Sequence, residues 1–91
     1  MIEKDYEIVN KYGLHARPCA CLSKEAARFE SSVKLAYNEH VVDAKSILGL
    51  MTLAAPGGSR IRLTVDGPDE KEAFAALDAL VAEVLLKEEL R

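Results

Sequence analysis

The feature that most constrains this chain is the period of its hydrophobic pattern. The period switches repeatedly between two and about 3.6 residues, and each segment has only one apolar face. Over residues 2–9, Ile2, Tyr6 and Ile8 share one parity while Glu3, Asp5 and Glu7 take the other, the pattern of a half-buried strand. Asn10-Lys11-Tyr12-Gly13 breaks it as a loop. Over 16–29, Cys19, Leu22, Ala26 and Phe29 recur at three- and four-residue steps, which predicts a helix. Pro18 sets its start close by, because a first-turn proline gives up no helical hydrogen bond. Val33, Leu35 and Tyr37 alternate again, Asn38-Glu39-His40 turns, and 41–44 returns as a second strand of a hairpin. A short helix over 47–54 follows, closed by Ala55-Pro56-Gly57-Gly58-Ser59. A strand over 60–66 has Ile61, Leu63 and Val65 inward. Gly67-Pro68-Asp69 breaks the chain before a last helix over 70–86, with acids at its start. Its buried stripe is expected to be Phe74, Leu77, Val81 and Val84, flanked by Ala73, Leu80 and Leu85. The tail, 87–91, is expected to fray.

The order is β-α-β-β-α-β-α. One-faced strands and one-faced helices are both satisfied by a single sheet carrying helices on one side, an α+β arrangement. At 91 residues, the chain (1–91) suits one domain with a modest core and no deep catalytic cavity. Any chemistry is expected at the surface or at the end of an element.

Charge and composition remove several classes of function. The formal net charge is -3 and the positive residues are scattered among acids, so the dense basic face of a nucleic-acid binder is not expected. No apolar run approaches the ~20 residues of a membrane span. Met1-Ile2-Glu3-Lys4-Asp5 is too acidic and polar for a signal peptide, so a cytoplasmic location is expected. Cys19 and Cys21 would point to nearly opposite sides of a helix, which argues against an internal disulfide. His15 and Cys19 are one helical turn apart, but nothing nearby completes a zinc set, so no metal is expected. Cys19 and Cys21 read as small apolar residues on a helix. His40 reads as a solvated turn residue.

Two constellations carry chemistry. In Gly13-Leu14-His15-Ala16-Arg17-Pro18, glycine permits a tight turn, and histidine then stands at or beside a helix cap. Free backbone N–H groups and the positive dipole end meet there, which suits an anion. Arg17 adds a guanidinium that can grip phosphate oxygens. A neutral imidazole in that setting is a nucleophile, and phosphoryl transfer needs mainly positioning and charge stabilisation. The same residues also fit a capping histidine beside a solvated arginine, and this motif alone leaves that open.

The second constellation is Lys45-Ser46 and the helix behind it. Ile47, Leu48, Leu50, Met51 and Leu53 leave little of that helix polar, although a helix on one sheet buries only one side. Leu50 and Leu53 are expected inward, leaving Ile47, Leu48 and Met51 as an exposed docking patch. Burial of the whole set under a loop is the alternative. Ser46 reads first as an N-cap. As a phosphorylation target it would place negative charge at a helix N-terminus, beside the patch.

With these residues in hand, the chain resembles the HPr family, the histidine-containing phosphocarriers of the bacterial sugar phosphotransferase system. The segment 13–18 is similar to the family's active-site signature, and 44–54 to its serine-site segment. Gly67-Pro68-Asp69-Glu70 resembles the start of its last helix. The resemblance implies an open-faced β-sandwich: a four-stranded antiparallel sheet of order 1-4-2-3 with three helices on one face. It implies that His15 accepts phosphate on Nδ1, with Arg17 as its phosphate-gripping partner. Enzyme I would supply the phosphate from phosphoenolpyruvate, and enzyme IIA domains would receive it. Ser46 matches the position that an HPr kinase/phosphorylase modifies in many bacteria. That mark slows the histidine's phosphorylation and, in some lineages, drives binding to a transcriptional regulator. Ala16, Ile47, Leu48 and Met51 fall on the docking surface. A monomer without cofactor is expected, acting as a carrier rather than a free-standing enzyme.

Cys19, Cys21 and the Ala55-Pro56-Gly57-Gly58 loop depart from the family pattern. They leave partner preference open. Two other functions compete with the carrier. A regulatory module would depend on Ser46 more than on His15. A hydrolase using His15 as general base lacks a nearby nucleophile and a substrate cavity.

Overall fold

Three segments with strict alternation, 2–7, 32–37 and 60–66, find one another across long stretches of chain. In the computed structural model, which describes residues 1–87, they form β1 (Ile2–Glu7), β2 (Ser32–Tyr37) and β4 (Arg60–Asp66). The short β3 (His40–Asp43) completes an antiparallel sheet of order β1-β4-β2-β3. β4 is the hub. Val65 stands opposite Ile2 on one side and Val33 on the other, and Leu63 stands opposite Leu35. This register puts Tyr6, Val33, Leu35, Ile61, Leu63 and Val65 on the buried face. The solvent face pairs opposite charges across the strands: Arg62 Nε donates to Asp5 Oδ1 at 2.7 Å.

Three helices cover the buried face: α1 (Ala16–Ala26), α2 (Ile47–Leu53) and α3 (Glu70–Val84). Cys19, Leu22 and Ala26 of α1, Leu50 and Leu53 of α2, and Ala73, Leu77 and Val81 of α3 join the sheet residues in one core. The architecture is the α+β sandwich implied by the resemblance, with the same strand order.

Element ends differ from the sequence expectations for local reasons. α1 stops at Ala26 rather than 29, because Arg28 and Phe29 turn their N–H groups back to Glu25 and Ala26 in a tightened last turn. Phe29 still packs half-buried on the core. The hairpin turn is two residues, with Asn38 in the left-handed region (φ 58°), so β3 starts at His40 instead of Val41. His40 is therefore an exposed strand residue paired with Tyr37. α2 ends at Leu53 because Ala54 takes a left-handed φ of 50°. In α3 the buried stripe is rotated from the expected one. Ala73, Leu77, Val81 and, just beyond the helix, Leu85 are fully buried, while Phe74, Leu80 and Val84 are half-buried against them. A small residue at 73 lets the helix approach its neighbours closely, which pattern-reading by size does not anticipate. Of the tail expected to fray, 88–91 lie outside the described residues.

Asp69 is the N-cap of α3, but its side chain makes no bond to the helix. Its carboxylate instead accepts from the N–H groups of Glu30 (3.0 Å) and Ser31 (2.9 Å) and from the Ser31 hydroxyl. These bonds hold the carboxyl below the ordinary carboxylate range, the Ser31 hydroxyl contributing most and the Glu30 N–H next. They tie the end of α1 to the start of α3.

Candidate functional site

The segment between β1 and α1 has to turn sharply and deliver a side chain to a helix mouth. Asn10 begins the turn. Its Oδ1 accepts the Tyr12 N–H at 2.8 Å, and its carbonyl accepts the Gly13 N–H at 3.0 Å. Gly13 follows in the left-handed region at φ 67°. A Cβ there would lie 2.3 Å from the Ala55 carbonyl oxygen, so the position needs glycine for space as well as for conformation. Leu14 donates its N–H to that same Ala55 carbonyl at 2.8 Å and buries its side chain in the core. The turn is thereby locked to the loop after α2, and His15 emerges next.

His15 is the N-cap of α1, with extended backbone (φ -95°, ψ -172°) and no side-chain bond to the helix. Its carbonyl accepts the Cys19 N–H at 3.1 Å, the first helical bond. Its ring is half-buried, its Nε2 shielded from solvent, and it meets the Tyr12 ring edge-on at 5.8 Å. Lys11 Nζ lies 5.4 Å from the Tyr12 ring centre, so a cation stands close to the same loop. Ala16 and Arg17 are exposed in the first turn, and that turn contains no acid. Pro18 is buried beneath them. A helix N-terminus with no acidic residue in its first turn and a guanidinium on that turn suits an anion.

Cys19 is buried below this turn, and burial pushes its thiol up to about 11. It is the neutral, apolar side chain that the sequence pattern suggested. Cys21, half-buried, is separate from it, and both are free thiols.

The second constellation sits on α2. Ser46 caps the helix, its Oγ accepting the Gly49 N–H at 3.0 Å. Leu50 and Leu53 are buried, whereas Ile47 (39% exposed), Leu48 (74%) and Met51 (44%) face solvent. Lys45 does not project beside them. Its Nζ donates to the Phe29 carbonyl at 2.8 Å, closing the end of α1. α1 and α2 pack against each other, and Leu14–Ala55 connects the His15 turn to the end of α2. A shallow groove of about 400 Å³ lies elsewhere, lined by Asp5, Ala36, Asn38, Arg60, Ile61 and Arg62. None of these residues belongs to either constellation.

Sequence reasoning missed Asn10, which it read only as part of a loop. Asn10 is fully buried, and all of its polar groups are engaged. The one available signal was local: asparagine two residues before a backbone N–H, at the head of a glycine turn, is a recognised side-chain turn.

Comparison with known proteins agrees with this geometry. A family model described as the PTS HPr component phosphorylation site matches residues 2–83. The phosphocarrier protein HPr of Cupriavidus necator is 54% identical over 82 residues, covering 90% of this chain and 92% of that protein. The crystal structure of an HPr from Thermoanaerobacter tengcongensis superposes with a TM-score of 0.87 at 40% identity, covering 99% of this chain and all of the other. The Crh protein of Bacillus subtilis, described as a catabolite repression protein and solved as a swapped, intertwined dimer, has a TM-score of 0.72. It is 44% identical, over 96% of this chain and all of that one.

Proposed function

The chain belongs to the HPr family of phosphotransferase-system phosphocarriers, and from that premise we propose that His15 Nδ1 carries the phosphoryl group. Its function is phosphoryl transfer in that system, and it works with the system's enzymes. The observation that carries the site assignment is the placement of an imidazole at the N-cap of α1, whose first turn carries no acidic residue. The burial of Nε2 supports Nδ1 as the nitrogen whose lone pair acts. That lone pair attacks the phosphorus of a phosphorylated donor. The new N–P bond forms as the donor's bond to phosphorus breaks, and the donor keeps that electron pair. Arg17 and the first-turn N–H groups stabilise the charge on the phosphoryl oxygens.

The donor in this reading is enzyme I and the acceptor an enzyme IIA domain, both docking over Ala16, Ile47, Leu48 and Met51. The exposure of these residues supports that role. The half-buried ring and shallow surface need a partner to exclude water and complete the pocket. The reading takes residues 1–91 as one domain acting as a monomer in the cytoplasm. The shared core supports the first point. The need to keep the patch open supports the second, with the intertwined Crh dimer as the competing arrangement. Among the described residues no helix is long and apolar enough to cross a membrane.

Incubation with enzyme I and phosphoenolpyruvate should give an acid-labile phosphohistidine that His15→Ala abolishes. Label retained by that variant sinks the assignment. The exposed position of Ser46 supports a second, regulatory role. A phosphate there would add negative charge beside Ile47 and Leu48 and weaken docking of an acidic partner. An HPr kinase/phosphorylase would write this mark, and a transcriptional regulator could read it. ATP-dependent labelling should disappear in Ser46→Ala, and persistence of the label rules this role out.

A further inference from the structure

We propose that Asn10 is a positioning residue for the phosphoacceptor, fixing the turn that holds His15 by tying it to the end of α3. The inference rests on His15 being the acceptor. Asn10 is fully buried and joins two parts of the fold. On one side its N–H donates to the Leu85 carbonyl at 3.0 Å, and its Nδ2 donates to the Val84 carbonyl at 3.2 Å. On the other, its carbonyl and Oδ1 accept from Gly13 and Tyr12. The last carbonyls of a helix have no partners within it. Here two carbonyls at the end of α3 both accept from Asn10, the residue that shapes the acceptor turn, and the Leu85 carbonyl also accepts the Val9 N–H at 2.9 Å. Gly57 closes the cage from outside. A Cβ on it would lie 2.7 Å from the Asn10 carbonyl oxygen.

The consequence for His15 runs through Tyr12. The Tyr12 ring is about half exposed and lies outside the core cluster of the described residues. Its N–H bond to Asn10 Oδ1 sets where its backbone lies, and its ring edge then bounds the imidazole. If the bond is lost, the turn can open and the ring loses its neighbour. Transfer by an in-line displacement is sensitive to such displacements, since about 1 Å of misplacement can cost a hundredfold. Asn10 is remote in sequence from the α2 patch and makes no hydrogen bond to it. Its loss should therefore lower kcat and leave KM for the donor little changed.

The test compares Asn10→Ala with Asn10→Ser, using wild type in the same assay. Both substitutions remove the bond to Val84 and have similar volume, so rates are compared per folded molecule, with melts on the same samples. Only serine keeps an oxygen able to accept the Tyr12 N–H. With enzyme I and phosphoenolpyruvate, kcat should fall at least about tenfold in Asn10→Ala and stay within about threefold of wild type in Asn10→Ser. KM should be unchanged in both. The His15 ring-proton resonances, placed by the Tyr12 ring, should shift in Asn10→Ala and hold in Asn10→Ser. Equal losses in the two variants, or a wild-type rate in folded Asn10→Ala, overturn the proposal. If Asn10→Ala does not fold, a tenfold loss in folded Asn10→Ser overturns it alone. Failure of the underlying reading looks different: wild-type protein itself would then take no label on His15.

Discussion

Leu48 and Leu50 are two residues apart on the same seven-residue helix, yet one is 74% exposed and the other fully buried. Substituting each with alanine separates docking from folding. Full burial of a leucine side chain is worth about 1.5–3 kcal/mol. About three-quarters of Leu48 remains to be buried when a partner arrives, so the contact at stake is about 1–2 kcal/mol. Leu48→Ala should therefore raise KM for enzyme I and for the IIA domain by about 5- to 30-fold. kcat should hold, because the chemistry at His15 is untouched, and stability should change by no more than about 0.5 kcal/mol. Leu50→Ala should do the reverse. It empties a core site at a cost of about 2–5 kcal/mol, which lowers Tm by roughly 10 °C or more while KM per folded molecule stays close to wild type. Steady-state transfer assays with thermal melts on the same samples read both effects. An unchanged KM in Leu48→Ala toward both donor and acceptor would refute α2 as the docking face. A Tm loss in Leu48→Ala comparable to that of Leu50→Ala would refute the assignment of its two faces.

Two further perturbations test the frame that holds the site. Asp69 sits below the ordinary carboxylate range because the Ser31 hydroxyl and the Glu30 and Ser31 N–H groups bond its charged form. Its contribution is therefore present above the unfolded carboxyl value and lost as pH falls through the lower, folded one. Asp69→Asn should melt below wild type at neutral pH, and the gap should narrow as pH falls below the unfolded carboxyl value and through the lowered folded one. A gap independent of pH would refute the charged-acceptor account. Gly13→Ala should cost more than about 2 kcal/mol and cripple phosphoryl transfer, because the new Cβ strikes the Ala55 carbonyl. Gly58→Ala, also left-handed (φ 88°) but facing open space, should cost only about 1–2 kcal/mol and leave transfer intact. Equal effects in melting and transfer assays would show that conformation, not contact with the loop after α2, is what position 13 requires.

How much could be read in advance depended on how local each determinant was. The alternation of Ile61, Leu63 and Val65 identified β4 at once, because strand period is written in adjacent residues. His15 beside Arg17 at a proline-marked helix start was equally local. The two faces of α2 followed from simple geometry: a helix on one sheet cannot bury five large apolar side chains. The rotated stripe of α3 was not legible, because Ala73 is favoured by closeness to its neighbours, and closeness is a property of the assembled layers. The ends of α1 and β3 were set by Ala26–Phe29 turn bonds and the left-handed Asn38, which periodicity does not encode. The hub position of β4 between β1 and β2 came from the family resemblance and not from the residues.

Asn10 shows the limit most clearly. Its partners are residues 12 and 13 on one side and 84 and 85 on the other. The first pair is visible as a turn motif, and the second exists only after the chain has folded. A 91-residue chain has no interior volume for an enclosed active site. Here the His15 turn is instead pinned from two directions by main-chain carbonyls, Ala55 after α2 and Val84 and Leu85 at the end of α3. Main-chain carbonyls are hard to remove by mutation and cost nothing in side-chain entropy. The residues proposed to meet partners, by contrast, are side chains facing out: Ala16, Ile47, Leu48 and Met51. Substitution on that face can retune partner choice without disturbing the turn, and substitution at Asn10 or Gly13 should disturb the turn without altering partner choice. A carrier that must meet a donor and then an acceptor over one surface needs that separation.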